Sequence, residues 1–266
     1  MKKIVFLIPL ALILSACDKP TRNEQIQEKL NQSKEFKTIH MNEYSKADTK
    51  IVVNGAGGLV SIRDKIDDVV SVDLKVPFDE VKIISSNDNF FRVIGDKNVV
   101  ETLNYTKDKQ ILKVDLKAMV GAMQNPLKME IYSNKIQYFD NNSENTLLLS
   151  GNYQNITIQN KGFLTINLDK ASFKDFMTTN LGKIEINGNG NAENLYLTDF
   201  SLGQYNLENF RAKNLGIKTR GTNKGTLNIY DVATGEVGFL SEYNITGNTR
   251  IKKINIMTKG KVIYKW

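Results

Sequence analysis

The chain has 266 residues, 36 Lys/Arg against 29 Asp/Glu for a formal charge of +7, and is 41% hydrophobic and 24% charged. A single histidine, His40, and a single cysteine, Cys17, exclude a multi-histidine or multi-cysteine metal site and an internal disulfide. The basic surplus concentrates in residues 211–266, where eleven Lys/Arg face Asp231, Glu236 and Glu242. Such an end suits an anionic partner, or solvated lysines that keep a sheet end from aggregating.

In chain order, Lys2 and Lys3 precede the apolar stretch Ile4 to Ile13, which runs into Leu14-Ser15-Ala16-Cys17. A positive start, an apolar run too short to span a bilayer comfortably and small residues before a cut predict a secretory signal over residues 1–16. The string resembles bacterial lipoprotein signals. That resemblance implies cleavage between Ala16 and Cys17, with S-diacylglycerol and an N-acyl chain on Cys17. Each buried methylene contributes about 0.8 kcal/mol, so three chains anchor stably where one is marginal. In enterobacteria-like sorting an aspartate after the acylated cysteine favours the inner membrane, and Asp18 holds that position. The expected location is therefore the periplasmic side of a cell membrane, with the inner membrane favoured and the outer membrane open. Nucleic acid is a disfavoured partner in that compartment.

Residues 17–35 are polar and contain Pro20, as a tether would. Thr21 with Glu24 makes a capping-box pattern, and Ile26 with Leu30 predicts a short, weakly amphipathic helix. Strands follow from Phe36, with alternation in Val60-Ser61-Ile62, Val70-Ser71-Val72-Asp73-Leu74 and Ile111 to Leu116. Asn54-Gly55-Ala56-Gly57-Gly58 reads as a hairpin turn, and Lys117 to Gln124 as the one internal stretch with helical character. Residues 36–145 form less regular strands, and residues 146–266 carry a repeat. Gly162-Phe163-Leu164-Thr165-Ile166 recurs from Gly182, Gly203 and Gly225, and Ala171, Ala192, Ala212 and Ala233 keep a similar step. A period near 20 with short strands and no helix predicts an all-β fold, a parallel β-helix or solenoid of coils stacked along one axis. Leu164, Ile166, Ile184, Ile186, Tyr205, Leu207, Leu227 and Ile229 should line its interior. Glycine at one point of each coil would serve positive φ or close packing. A meandering antiparallel sandwich is the competing architecture.

The chain resembles the putative autotransporter-adhesin head domains known as GIN or DUF2807. The opening Phe36-Lys37-Thr38-Ile39, the strand and turn Val93-Ile94-Gly95-Asp96-Lys97-Asn98 and the strand Ile111-Leu112-Lys113-Val114 carry the likeness. So do the glycine turns Leu149-Ser150-Gly151-Asn152, Asn187-Gly188-Asn189-Gly190 and Ile245-Thr246-Gly247-Asn248. The resemblance, from about Phe36 to Trp266, implies an envelope or surface protein and supplies no catalytic residues.

The chemical inventory is thin. His40 lies in polar Thr38-Ile39-His40-Met41 and reads as a solvated side chain; no nucleophile elbow, phosphate loop or zinc spacing occurs. Asp169, Asp175, Asp199 and Asp231 are the acids that a polysaccharide-acting enzyme of β-helix type would have to use. Tyr153, Tyr196, Phe200, Tyr230 and Tyr243 could stack on sugars or a partner, or be rungs of the coil. The expected function is a lipid-anchored envelope lipoprotein with a non-catalytic, adhesin-like body and no metal or cofactor. It would bind membrane lipid through Cys17 and an anionic polymer or envelope protein through the body. An envelope polysaccharide enzyme and a periplasmic scaffold or assembly factor are the alternatives.

Overall fold

The computed structural model describes residues 52–53 and 55–265. Cys17, Asp18, the signal, the tether with its expected helix, the Phe36–Ile39 strand and His40 lie outside the described residues. Among the described residues the strands are β1 (Val52–Val53), β2 (Leu59–Lys65), β3 (Ser71–Leu74), β4 (Phe78–Ile84) and β5 (Phe90–Asp96). One turn of helix, α1 (Lys97–Val100), leads to β6 (Leu103–Asp108), β7 (Ile111–Leu116), β8 (Met119–Val120), β9 (Lys128–Tyr132) and β10 (Tyr138–Asn141). Five long strands follow: β11 (Glu144–Asn160), β12 (Phe163–Asn180), β13 (Lys183–Asp199), β14 (Leu202–Thr219) and β15 (Thr222–Val237). The chain closes with β16 (Glu242–Thr246), β17 (Ile251–Ile256) and β18 (Lys261–Tyr264).

The long strands pair in parallel with their successors, so the fold is a stacked column of about seven turns of roughly 19 residues, not a sandwich. At the spacing of hydrogen-bonded strands the column is about 30 Å tall. Each long strand is bent rather than straight. In β12 a first leg covers 163–168, a bend follows, and the last leg runs over 175–180. First legs pair with first legs and last legs with last legs. The parallel ladder extends past β11 through β4 and β9 on the first-leg side, and through β10, β3 and β7 on the last-leg side. There the pattern changes hand: β9–β5, β5–β2 and β7–β6 are antiparallel and close that end.

Alternation sets the core. Leu164, Ile166, Ile184, Ile186, Tyr205, Leu207, Leu227 and Ile229 are all essentially inaccessible, as the period-two reading requires. Each such side chain contributes about 1.5–3 kcal/mol through burial. Stacked rings add to this where coils meet, with Tyr153 on Phe173 at 5.2 Å and Phe173 on Phe176 at 4.8 Å between centroids.

Three local expectations fail. Residues 117–124 are not helical: Met119–Val120 is the strand β8, paired in parallel with β1, and the only helical turn lies at 97–100 among the described residues. The 54–58 glycines do not make a hairpin, because β1 pairs with β8 while β2 pairs antiparallel with β5. Gly55 is needed instead for close approach, since a Cβ there would collide with the Asp96 carboxylate. That carboxylate pins the neighbouring loop, accepting from the Gln124 N–H at 2.7 Å and the Asn125 side-chain amide at 2.6 Å. Finally, Gly162, Gly182, Gly203 and Gly225 are not one column. Gly203 pairs with Ile184 and Gly225 with Tyr205, whereas the true corner is Ser143, Gly162, Gly182, Ser201, Gly221 and Ser241. At Gly162, Gly182 and Gly221 a Cβ would strike the carbonyl of the coil beneath, so close packing is the requirement there.

Candidate functional site: the lateral face of the first legs

The outward residues of the first legs stand in register from coil to coil. One row reads Thr146, Thr165, Glu185, Gln204, Lys224, Glu242 and Lys261; the next reads Asn167, Asn187, Asn206, Thr226 and Asn244. Strand alternation fixes both rows outward, because the side chains between them, Ile166, Ile186, Tyr205 and Tyr243, are buried. The rows are tied along the column. The Asn206 amide donates to Asn187 Oδ1 at 2.6 Å, and Asn187 donates to Glu185 Oε1 at 2.9 Å. Lys261 donates to Glu242 Oε1 at 2.9 Å and holds that carboxyl below the ordinary range.

Two shallow concavities lie on this face. One, of about 510 Å³, is floored by Gly203 and Gly225 and walled by Lys183, Glu185, Gln204, Asn206, Lys224 and Asn244. The other, of about 330 Å³, is lined by Pro77, Met123, Phe163 and Thr165 among others. They meet where Phe163 pairs with Lys183, whose ammonium sits 4.4 Å from the Phe163 ring centre. The result is a trough of amide, hydroxyl and mixed charge following the column axis. It offers many hydrogen-bonding groups and no concentrated charge.

The four acids named from sequence are not brought together. Asp169 is exposed at a bend. Asp175 is buried on the outer side of a last leg, where it accepts from Asn194 at 2.7 Å. Asp231 is held by the Arg250 guanidinium at 2.7 Å. Asp199 is fully buried in the interior; Tyr205 Oη donates to it at 2.6 Å, the Ser201 N–H at 2.9 Å and Asn180 at 2.9 Å. Burial nonetheless raises its carboxyl above the ordinary range. Among the described residues no three His, Cys, Asp or Glu cluster as a metal site would.

Two of the five aromatics are internal, and a third, Tyr196, is buried on the outer side of a last leg. Tyr243 packs 5.9 Å from Tyr205 inside the column, and burial raises both phenols far above the usual range. Tyr153 is buried and donates to Ile83 O at 2.6 Å, and Tyr196 is buried beside Val232. Phe200 and Tyr230 are half-buried, the latter under the Arg211 guanidinium at 4.4 Å.

The main feature missed from sequence is an internal amide column. Asn141, Asn160, Asn180 and Asp199 stack in register, each amide donating to the next oxygen at 2.8, 2.8 and 2.9 Å. The same amides reach carbonyls on both sides of the corner, as Asn160 does to Lys183 O at 2.8 Å. Its signal was present: Asn or Asp stands two residues before the corner in Asn141-Asn142-Ser143, Asn160-Lys161-Gly162, Asn180-Leu181-Gly182 and Asp199-Phe200-Ser201.

A family model described as putative auto-transporter adhesin, head GIN domain (DUF2807) matches residues 74–249. The chain belongs to this family. A search of curated proteins finds no match. Solved structures share the GIN-type fold at low identity. A putative adhesin from Bacteroides fragilis superposes with a TM-score of 0.71 at 15% identity, covering 80% of this chain and 100% of its own. A putative adhesin from Parabacteroides distasonis gives 0.58 at 16%, covering 81% and 100%. A putative lipid binding protein from the same organism gives 0.55 at 14%, again covering 81% and 100%. No helix among the described residues is long and apolar enough to cross a membrane.

Proposed function

We propose that this GIN-family chain is an envelope lipoprotein whose column presents the first-leg trough to an extended polymer or protein partner, in an adhesin-like and non-catalytic role. The observation that carries the reading is the trough itself: in-register rows of Asn, Gln, Thr and mixed charge along several coils, with Asp169, Asp175, Asp199 and Asp231 scattered elsewhere. The row Asn167, Asn187, Asn206, Thr226 and Asn244 suits a repeated ligand, because nearly every coil offers the same amide at a fixed rise. The family's description as an adhesin head supports the same role.

The address rests on sequence. Cys17, acylated after cleavage behind Ala16, would tether the body, and Asp18 would favour the periplasmic face of the inner membrane. Metabolic labelling with an alkyne fatty acid tests the tether. Label on an N-terminal peptide beginning at Cys17, lost in Cys17→Ser, is the expected result; unlabelled protein still joined to residues 1–16 overturns it. The trough is tested on arrays of envelope glycans and envelope proteins. A Gln204→Ala/Lys224→Glu/Asn206→Ala chain should lose its captured partner while melting like the parent, and capture unchanged by these substitutions would discard the trough.

A further inference from the structure

The outer edge of the amide corner, beyond the trough, carries a second feature. Leu181, Phe239, Leu240 and Met257 are each 40–57% exposed there, and Ile256, at the inward position of the last coil, is 50% exposed where the column ends. Their positions stack. Phe200 N–H bonds to Asn180 O, Arg220 to Asp199 O, Gly238 to Thr219 O and Met257 to Val237 O, so successive corners form one ridge, in which Arg220 separates Leu181 from the group Phe239, Leu240, Ile256 and Met257 at the basic end. Scattered apolar side chains on a surface need no explanation, but four large ones grouped on two adjacent coils mark a docking surface.

Two observations say what docks. The corner segments 220–222, 238–241 and 256–260 contain no acidic residue and two cations, Arg220 and Lys259. Arg220 and Lys259 form no ion pair among the described residues. Phe239, moreover, is held at φ +58°, a left-handed conformation that a bulky residue rarely adopts, with half its surface in water. Its neighbour on the next coil, Thr258, is also left-handed at +56°. The backbone thus holds an aromatic outward at a conformational cost, beside aliphatic neighbours and unpaired cations.

We infer that this ridge is a membrane-surface contact, seating Phe239, Leu240, Ile256 and Met257 among the acyl-chain ends of an anionic bilayer while Arg220 and Lys259 meet its phosphates. Aliphatic and aromatic tips with flanking cations match the two layers of a lipid interface. A second copy is the poorer occupant, because a two-fold contact on this ridge would bring like charges together. The inference does not rest on the trough or on acylation at Cys17, and its test excludes the acyl chains.

The experiment uses the full chain carrying Cys17→Ser, Trp266→Phe and Phe239→Trp, so that the reporter indole sits on the ridge. Phosphatidylcholine vesicles are used with and without phosphatidylglycerol, each in brominated and unbrominated form. A blue shift and bromine quenching at position 239 with the anionic vesicles are expected, and little of either with the neutral ones. Adding Arg220→Gln and Lys259→Gln should raise the lipid needed for half-maximal quenching at least tenfold. A Leu59→Trp reporter at the opposite end, in place of the one at 239, should stay unquenched. No quenching at 239, equal quenching on both vesicle types, equal quenching at Leu59, or a blue shift that grows with protein concentration and needs no lipid would each overturn the inference.

Discussion

The two bends of each coil solve the same geometric problem with different chemistry. At the corner between last and first legs, the amide column locks the coils from Asn141 to Asp199 to one another, and the pairing runs through it without a slip. At the opposite bend the register shifts in every long pair: Ser150/Asn152, Leu168/Ala171, Asn187/Gly190 and Leu207/Arg211. Those turns rely on left-handed residues, with Gly151 at φ +96°, Gly188 and Gly190 at +134°, and Lys170 at +50°. A buried side-chain ladder demands one period, whereas a backbone turn tolerates an extra residue. The column therefore has a fixed edge and a slack edge.

The sharpest way to break that contrast is to empty a rung next to the fixed edge. Phe176→Ala removes a buried ring stacked 4.8 Å from Phe173 and should cost about 3–5 kcal/mol in denaturant unfolding. Asn180→Ala removes one hydrogen-bond partner from both the Asn160 amide and the buried Asp199 carboxyl, and should cost about 2–4 kcal/mol by the same measurement. If it costs no more than a surface change, the ladder does not set the register.

Asp199→Asn should show a pH signature. Burial raises the Asp199 carboxyl in the folded state. Its contribution is accordingly full below the unfolded aspartate pKa of about 3.9 and is lost as pH rises through the folded value. The variant should therefore match the parent in acid and gain in melting temperature towards neutrality; an equal difference at every pH would contradict this. The smallest effect belongs to the slack edge. Lys170→Gly relieves a left-handed lysine and should move stability by no more than about 1 kcal/mol, towards greater stability.

The period, the parallel coils and the inward rungs were legible because alternation and repetition are local patterns. What crosses coils was harder to read. The slack bend resets the count between inner and outer residues, so Tyr153, Tyr196 and Tyr243 could not be placed from spacing alone. It also aligned Gly203 and Gly225 with the wrong column, and although Ala192 does stack on Ala212, Ala171 pairs with Gly190 and Ala233 with Leu215. The 54–58 glycines misled for another reason: their strand partner, Met119–Val120, is distant in sequence, and local turn chemistry does not reveal it. The trough was not readable beforehand, since a row of Thr, Glu, Gln and Lys becomes a surface only once register is known.

The amide column stops at Asp199. Beyond it the same corner position is filled by Thr219, whose hydroxyl has no partner, then Val237 and Ile256. A stack of coils held by nearest-neighbour terms opens most easily where those terms are weakest. Amide hydrogen exchange should thus grade along the axis, slow through residues 141–199 and faster past 219. The column is stiff in its middle and yielding at its basic end, so the corner that bears Phe239 can adjust to whatever it touches without disturbing the rungs above.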